Sequence, residues 1–189
     1  MSRLDIWGPA RALADTASPT AAWSVTARFA TGVVVVTVGS GNRARGTTVS
    51  AFSLVARTPP LVSVALRSQS SCLGQLKEEG GFAVSALAAG QAALARHFAD
   101  PARRPGLRQL SPDSWLIGPA GGVPVLRGAV GWLDCQTELI VPAGDHELVI
   151  ARVRAATPGP GSPLVQHGGE LIDDLHRGAA AGTSERGER

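Results

Sequence analysis

The stretch FATGVVVVTVGSGNRARGTTVSAFSLVARTPPLVSVAL, Phe29 to Leu66, decides the fold. Val33 to Val38 is β-branched and apolar on both faces, the pattern of a strand buried on both sides. Gly39-Ser40-Gly41-Asn42 supplies turn residues, and Ala44 to Val49 returns as the partner strand of a hairpin. The glycines do not make a dinucleotide fingerprint, because G-x-G-x-x-G is incomplete and no helix opens after it. Ala51 to Arg57 is expected to cross over to Pro59-Pro60. The fixed φ of those prolines leads the chain extended into a third strand, Leu61 to Leu66. Thr47, Thr48 and Ser50 set small hydroxyl side chains between hairpin and third strand. Such a lip lets backbone N–H groups and hydroxyls come close to a planar ligand that carries a phosphate.

Outward from this stretch the chain reads as β-rich with short helices. Met1 to Ala17 has no sustained period and is expected to be a flexible arm. Ser18 as N-cap and Pro19 at the first helical position predict a helix to about Ala30, with Trp23, Ala27 and Ala30 on one face. After the third strand, Arg67 to Cys72 is a polar turn opening a helix over Leu73 to Glu78. A serine-rich loop at a helix start suits an anion, through free N–H groups and the helix dipole. It equally suits plain capping by Ser70 or Ser71. Strands are expected at Phe82–Leu87, Ala129–Ile140 and His146–Ala155. The last of these carries a phase shift near Ala151 that marks a bulge. Gln91 to Phe98 reads as an amphipathic helix, and Ala99 to Gly122 as a long loop of the kind that often binds or covers. Leu164 to Leu171 is the last ordered piece. One domain over 18–175 and a disordered tail over 176–189 complete the plan.

Composition narrows the function classes. A chain of 189 residues is long enough for one domain with a real core. Net charge is +3, and the nearest thing to a basic cluster is Arg103, Arg104 and Arg108. Nucleic-acid binding would need Lys and Arg gathered on a face with aromatics between them, so it is not expected. Cys72 and Cys135 are far apart and form no CxxC, which suits a reducing cytoplasm. No signal-peptide pattern opens the chain, and no apolar run approaches the ~20 residues that cross a bilayer. A cytoplasmic protein without membrane contact is the expectation.

FATGV, GTTVSAF, TPPLVSVAL with its serine-rich turn, LARHFAD, GWLDCQTE and GDHELVIARV follow one another in that order. In this they resemble the flavin-reductase-like family, reductase components of two-component flavin monooxygenases, over roughly Thr20 to Leu171. The resemblance implies an FMN-binding split β-barrel: mainly β, antiparallel and Greek-key-like, of about six strands with a few flanking helices. It implies reduction of flavin, FMN ahead of FAD, by NADH or NADPH, with reduced flavin supplied to a partner monooxygenase. It also implies a homodimer with the flavin at the subunit interface. By the same resemblance Thr47, Thr48, Val49, Ser50, Ala65 and Leu66 line the flavin, while Ser68, Ser70 and Ser71 hold its phosphate. The loop departs from the family's Ser-x-Thr, since Cys72 stands where the Thr would be. The family's aromatic residue near Val165-Gln166 is also missing. These departures leave room for a flavin carrier, or for a flavoprotein oxidase acting on a small metabolite.

Three of the four histidines merit weighing. His146, after Gly144-Asp145, reads on its own as a polar residue at a strand start. The family's GDH motif gives it the role of holding the nicotinamide, as the candidate catalytic residue. Phe98 is open to two readings, stacking at the cofactor or ordinary core. His167 with Glu170, and Asp173 or Asp174 with His176, have spacings a metal can use, but two weak pairs near a chain end are a poor ligand set and no metal is expected. Neither cysteine has a histidine beside it in sequence, and G-x-S-x-G is absent, so nucleophilic hydrolysis is unsupported.

Overall fold

The computed structural model describes residues 18–103, 106, 111–118 and 122–173. The expected arm, residues 174 and 175, the expected tail over 176–189 and parts of the long loop lie outside them. The described chain runs α1 (Pro19–Thr26), β1 (Thr31–Gly32), β2 (Val34–Val38), β3 (Arg45–Val49), β4 (Phe52–Ala56), β5 (Leu61–Arg67), α2 (Ser71–Glu79), β6 (Gly81–Ala86), α3 (Ala92–Ala99), β7 (Trp115–Ile117), β8 (Pro124–Leu126), β9 (Gly131–Ala143), β10 (His146–Pro158), β11 (Val165–His167) and β12 (Glu170–Ile172). It is mainly β and antiparallel, with three α-helices among the described residues.

Seven strands make one sheet in the order β3-β2-β6-β9-β10-β5-β4. Its two outermost strands, β3 and β4, are consecutive in the chain and joined only through Ser50 and Ala51. Laid flat, seven strands would hold these edges about 29 Å apart at ~4.8 Å per step. A two-residue link reaches only about 10 Å. The sheet is therefore rolled, and its edges approach at this link.

β2 explains why the quoted stretch governs the fold. Val34, Val36 and Val38 join Val49, Val62, Val64, Leu66, Phe82 and Val149 on the inner face, with Leu73 and Leu76 of α2 packed among them. Val33 and Val35 face the other way, under Ala92, Ala95 and Phe98 of α3 and beside Leu87, Leu126 and Leu164. Every β2 side chain is buried. Each such valine contributes on the order of 1.5–3 kcal/mol by leaving water.

Several local expectations need correction. The crossover Ala51–Arg57 contains a paired strand, β4. Leu54 and Val55 on it are exposed, so burial never imposed the alternation that marks a strand in sequence. The long loop contains a short hairpin, β7 with β8. The first helix stops at Thr26 rather than about Ala30. Its Ser18 cap is in place, with the hydroxyl accepting from Ala21 N at 3.2 Å. None of its residues is buried, and Trp23 and Phe29 are 66% and 67% exposed. The expected phase shift in the last long strand is present as register changes at Ile150/Ala151 and Val153/Ala155 of β10.

Candidate active site

β3 is an edge strand, paired only with β2, so alternate backbone N–H and C=O groups along it face away from the sheet. Its side chains divide by parity. Arg45, Thr47 and Val49 share one face, and Gly46 and Thr48 the other. Thr48 donates its hydroxyl to Ala95 O of α3 at 2.6 Å. Gly46 lies over Phe98: a Cβ there would sit 2.8 Å from the ring, so glycine is what lets α3 close under the strand. Phe98 is 5% exposed in the core beneath β3. Of the two readings open for it, packing is what its surroundings supply, and it presents no open ring face. The Arg103 guanidinium lies over this ring, 4.9 Å from its centroid, and donates to Gly46 O at the free edge.

A circuit of contacts leads from β3 through the other candidate residues and back. Past Ser50, Ala51 O accepts from Ala65 N at 3.1 Å, which ties the link to β5. Ala65 sits opposite Leu148, and Arg67 opposite His146, on β10. Leu66 turns its side chain into the core, leaving only its backbone for a ligand. Ser68 N donates to Asp145 O at 3.0 Å. Ser70 caps α2, its hydroxyl accepting from Cys72 N at 3.2 Å. This is the capping that the sequence left open between Ser70 and Ser71. Ser71 accepts from Arg45 on β3 at 3.2 Å, which closes the circuit. The structure thus links the candidates of β3, β5, the serine turn and β10 in one closed chain of contacts that passes the N-terminus of α2.

Arg45, Arg103 and Asp145 were not among the residues singled out for the site. Asp145 alone had a visible signal, since it precedes His146 in the quoted GDH. Its carboxylate lies 2.8 Å from His146 Nδ1. The Asp145 carboxyl is held below its ordinary value, first by the hydrogen bond from the His146 side chain and then by the charge of His146. An ionised carboxylate can only accept, so Nδ1 carries the hydrogen of this bond, and Nε2 is the ring nitrogen not engaged by Asp145. The His146 side chain is 36% exposed.

Both cysteines are free and buried. Burial pushes the thiols of Cys72 and Cys135 up to about 12, against which Arg103 and Arg45 lower Cys72 only in part. Cys72 faces the core beside Leu73 and Leu76, so a Thr hydroxyl in its place would also point inward. His167 and Glu170 are opposed in the β11–β12 hairpin. Among the described residues no group of three or more His, Cys, Asp or Glu gathers to hold a metal. Asp174 and His176 lie outside them.

A flavin reductase like domain model matches residues 26–171. The chain is 41% identical over 132 residues to an NADH-dependent FAD reductase of Streptomyces globisporus, an alignment covering 70% of this chain and 72% of that one. It is 36% identical over 140 residues to the reductase component of 4-hydroxyphenylacetate 3-monooxygenase from Thermus thermophilus, covering 74% and 85%. Among solved structures, the flavin reductase component of a bacterial two-component tryptophan halogenase superposes with a TM-score of 0.76. That match is 34% identical and covers 81% of this chain and 96% of the other. The chain belongs to the flavin reductase like family.

Proposed function

We propose that this protein is an NAD(P)H-dependent flavin reductase that reduces FMN or FAD and supplies the reduced flavin to a partner monooxygenase. The observation that carries the proposal is the circuit of contacts around the free edge of β3, in a chain of this family. Flavin and nicotinamide supply the hydride chemistry between themselves, and the protein's task is to place one against the other. Thr47, Thr48, Val49 and Ser50 offer the flavin a backbone edge with small side chains, and Ala65 and Leu66 border it from β5. Ser68, Ser70 and Ser71, with the N-terminus of α2, hold the phosphate. Phe98 acts from beneath by fixing Gly46 and so the course of β3. His146 places the nicotinamide: Asp145 accepts from Nδ1–H and orients the ring, and Nε2 hydrogen-bonds the carboxamide.

The same reading extends to architecture. The rolled sheet is the split β-barrel, open where β3 and β4 part. The protein is a homodimer, supported by the exposed Trp23, Val25 and Phe29 of the α1 region and by Leu139 on β9, apolar surface that a second copy would cover. No helix among the described residues is long and apolar enough to cross a membrane. A cytoplasmic location, beside a monooxygenase that consumes reduced flavin, is part of the proposal. Nothing favours the carrier or oxidase alternative.

The test is steady-state oxidation of NADH and of NADPH by the purified chain, with FMN, with FAD and without flavin. Consumption that requires added flavin is the expected result. Flavin binding without consumption would overturn the reductase assignment, and light scattering during chromatography reports the dimer.

A further inference from the structure

The hairpin that carries His146 is edged by charge. Lys77 of α2 donates to Glu147 at 2.7 Å, and Asp145 accepts from His146 at 2.8 Å, so both acids beside His146 are engaged. Arg67 is placed differently. It ends β5, stands exposed, and its guanidinium has no hydrogen-bonding partner among the described residues. The sheet sets it directly across from His146 on β10. The neighbouring ladder bond, from Ser68 N to Asp145 O at 3.0 Å, makes Arg67 and His146 a non-hydrogen-bonded pair. Such pairs are the closer kind, with Cα atoms about 4.5 Å apart and both side chains on one face. Leu66 turns into the core, so by alternation that face is the outer one. Arg67 also acts on the hairpin electrostatically. The Asp145 carboxyl, held down first by His146, is lowered further by the Arg67 charge.

We infer that Arg67 holds the diphosphate of the reduced nicotinamide dinucleotide whose ring rests at His146. The inference rests on the reductase reading, which places that ring. In such a nucleotide the reacting ring is neutral, and its negative charge lies one ribose away on the diphosphate. A cation paired with His146 on the same face meets that charge within the reach of an arginine, whose fork suits phosphate oxygens. The flavin phosphate has donors of its own at the other end of the site. These are Ser70, Ser71 and the start of α2, with Arg45 reaching Ser71 at 3.2 Å. The diphosphate takes no part in hydride transfer, so the Arg67 contact is the same before and during the reaction. It therefore sets KM and leaves kcat alone.

The test compares two hydride donors on the wild type and Arg67→Gln: NADH, and dihydronicotinamide riboside, which has the same ring and ribose but no phosphate. Steady-state kinetics would be measured at saturating flavin, and flavin dissociation constants by fluorescence. Arg67→Gln should raise KM for NADH about tenfold with kcat unchanged. It should leave kcat/KM for the riboside and the flavin dissociation constant at wild-type values. Added salt should raise the wild-type KM for NADH more than that of the variant, because an exposed ion contact is screened. An unchanged KM for NADH would overturn the inference. An equal loss with the riboside would overturn it too, since Arg67 would then act on His146 or on the fold. Weaker flavin binding in Arg67→Gln would assign the residue to the flavin phosphate instead. In each of these cases flavin-dependent oxidation by the wild type leaves the reductase reading standing. A wild type that oxidises neither donor in the presence of flavin would overturn both.

Discussion

The two ends of the candidate site are built differently. At the phosphate end, Ser70 caps α2, Ser71 is held by Arg45, and β3 is supported from below by Phe98 and Thr48. At the nicotinamide end, His146 stands at a hairpin tip with Asp145 as its side-chain partner and about a third of its side chain in water. One end is preorganised, and its residues also carry fold stability. The other is open, and its residues are free to serve ligand placement alone. Substitutions at the first end should therefore change stability and flavin affinity together. Those at the second should change nicotinamide kinetics without touching the fold.

The largest effect is expected from Phe98→Ala, which empties core volume beneath Gly46 and should destabilise the chain by about 3–5 kcal/mol in urea unfolding. Flavin affinity should fall with it. Intact flavin binding in a destabilised Phe98→Ala would separate the strand's course from its support and break the first half of the comparison. His146→Ala should raise KM for NADH by about tenfold, the loss of roughly one hydrogen bond. Its unfolding midpoint and flavin affinity should stay at wild-type values. A pH profile sharpens this point. Asp145 has a lowered folded pKa, so its contact with His146 is present above the ordinary carboxylate range and is lost as acid carries the pH down through the lowered value. KM for NADH should accordingly show no acid limb from Asp145 at neutral pH.

Ser70→Ala removes a helix cap and should cost about 1 kcal/mol, with weaker flavin binding as the second readout. If stability falls while flavin affinity does not, the serine turn is structural and the phosphate sits elsewhere. The smallest effect is expected at the thiols. With both pKa values pushed to about 12 by burial, Cys72 and Cys135 should resist a thiol reagent at mildly alkaline pH until the chain is unfolded.

How much of this was legible in the sequence follows from the range of the interactions. β2 could be read because burial on both faces leaves an unbroken valine run. The helix starts could be read because capping is local: Ser18-Pro19 and Ser70 carry their own signals. β4 could not, since Leu54 and Val55 face water and obey no alternation. The end of α1 was misplaced because none of its side chains is buried, so its apolar spacing reported no core contact. At the site, hydroxyls and histidine could be picked out by type and motif. Arg45 and Arg103 could not, because their partners, Ser71 and Gly46 O, lie 26 and 57 residues away in the chain. The packing of Phe98 was undecidable in sequence for the same reason: its partner is a glycine, which carries no hydrophobic signal.

The most direct test of the central claim is an anaerobic single turnover. The protein with one equivalent of bound flavin is mixed with one equivalent of NADH, and the oxidised-flavin and NADH absorbances are followed together. The account predicts that both disappear in equal amounts and at the same rate, with the rate at low NADH reduced in His146→Ala. Flavin that binds at the β3 edge yet stays oxidised with either NADH or NADPH would contradict it.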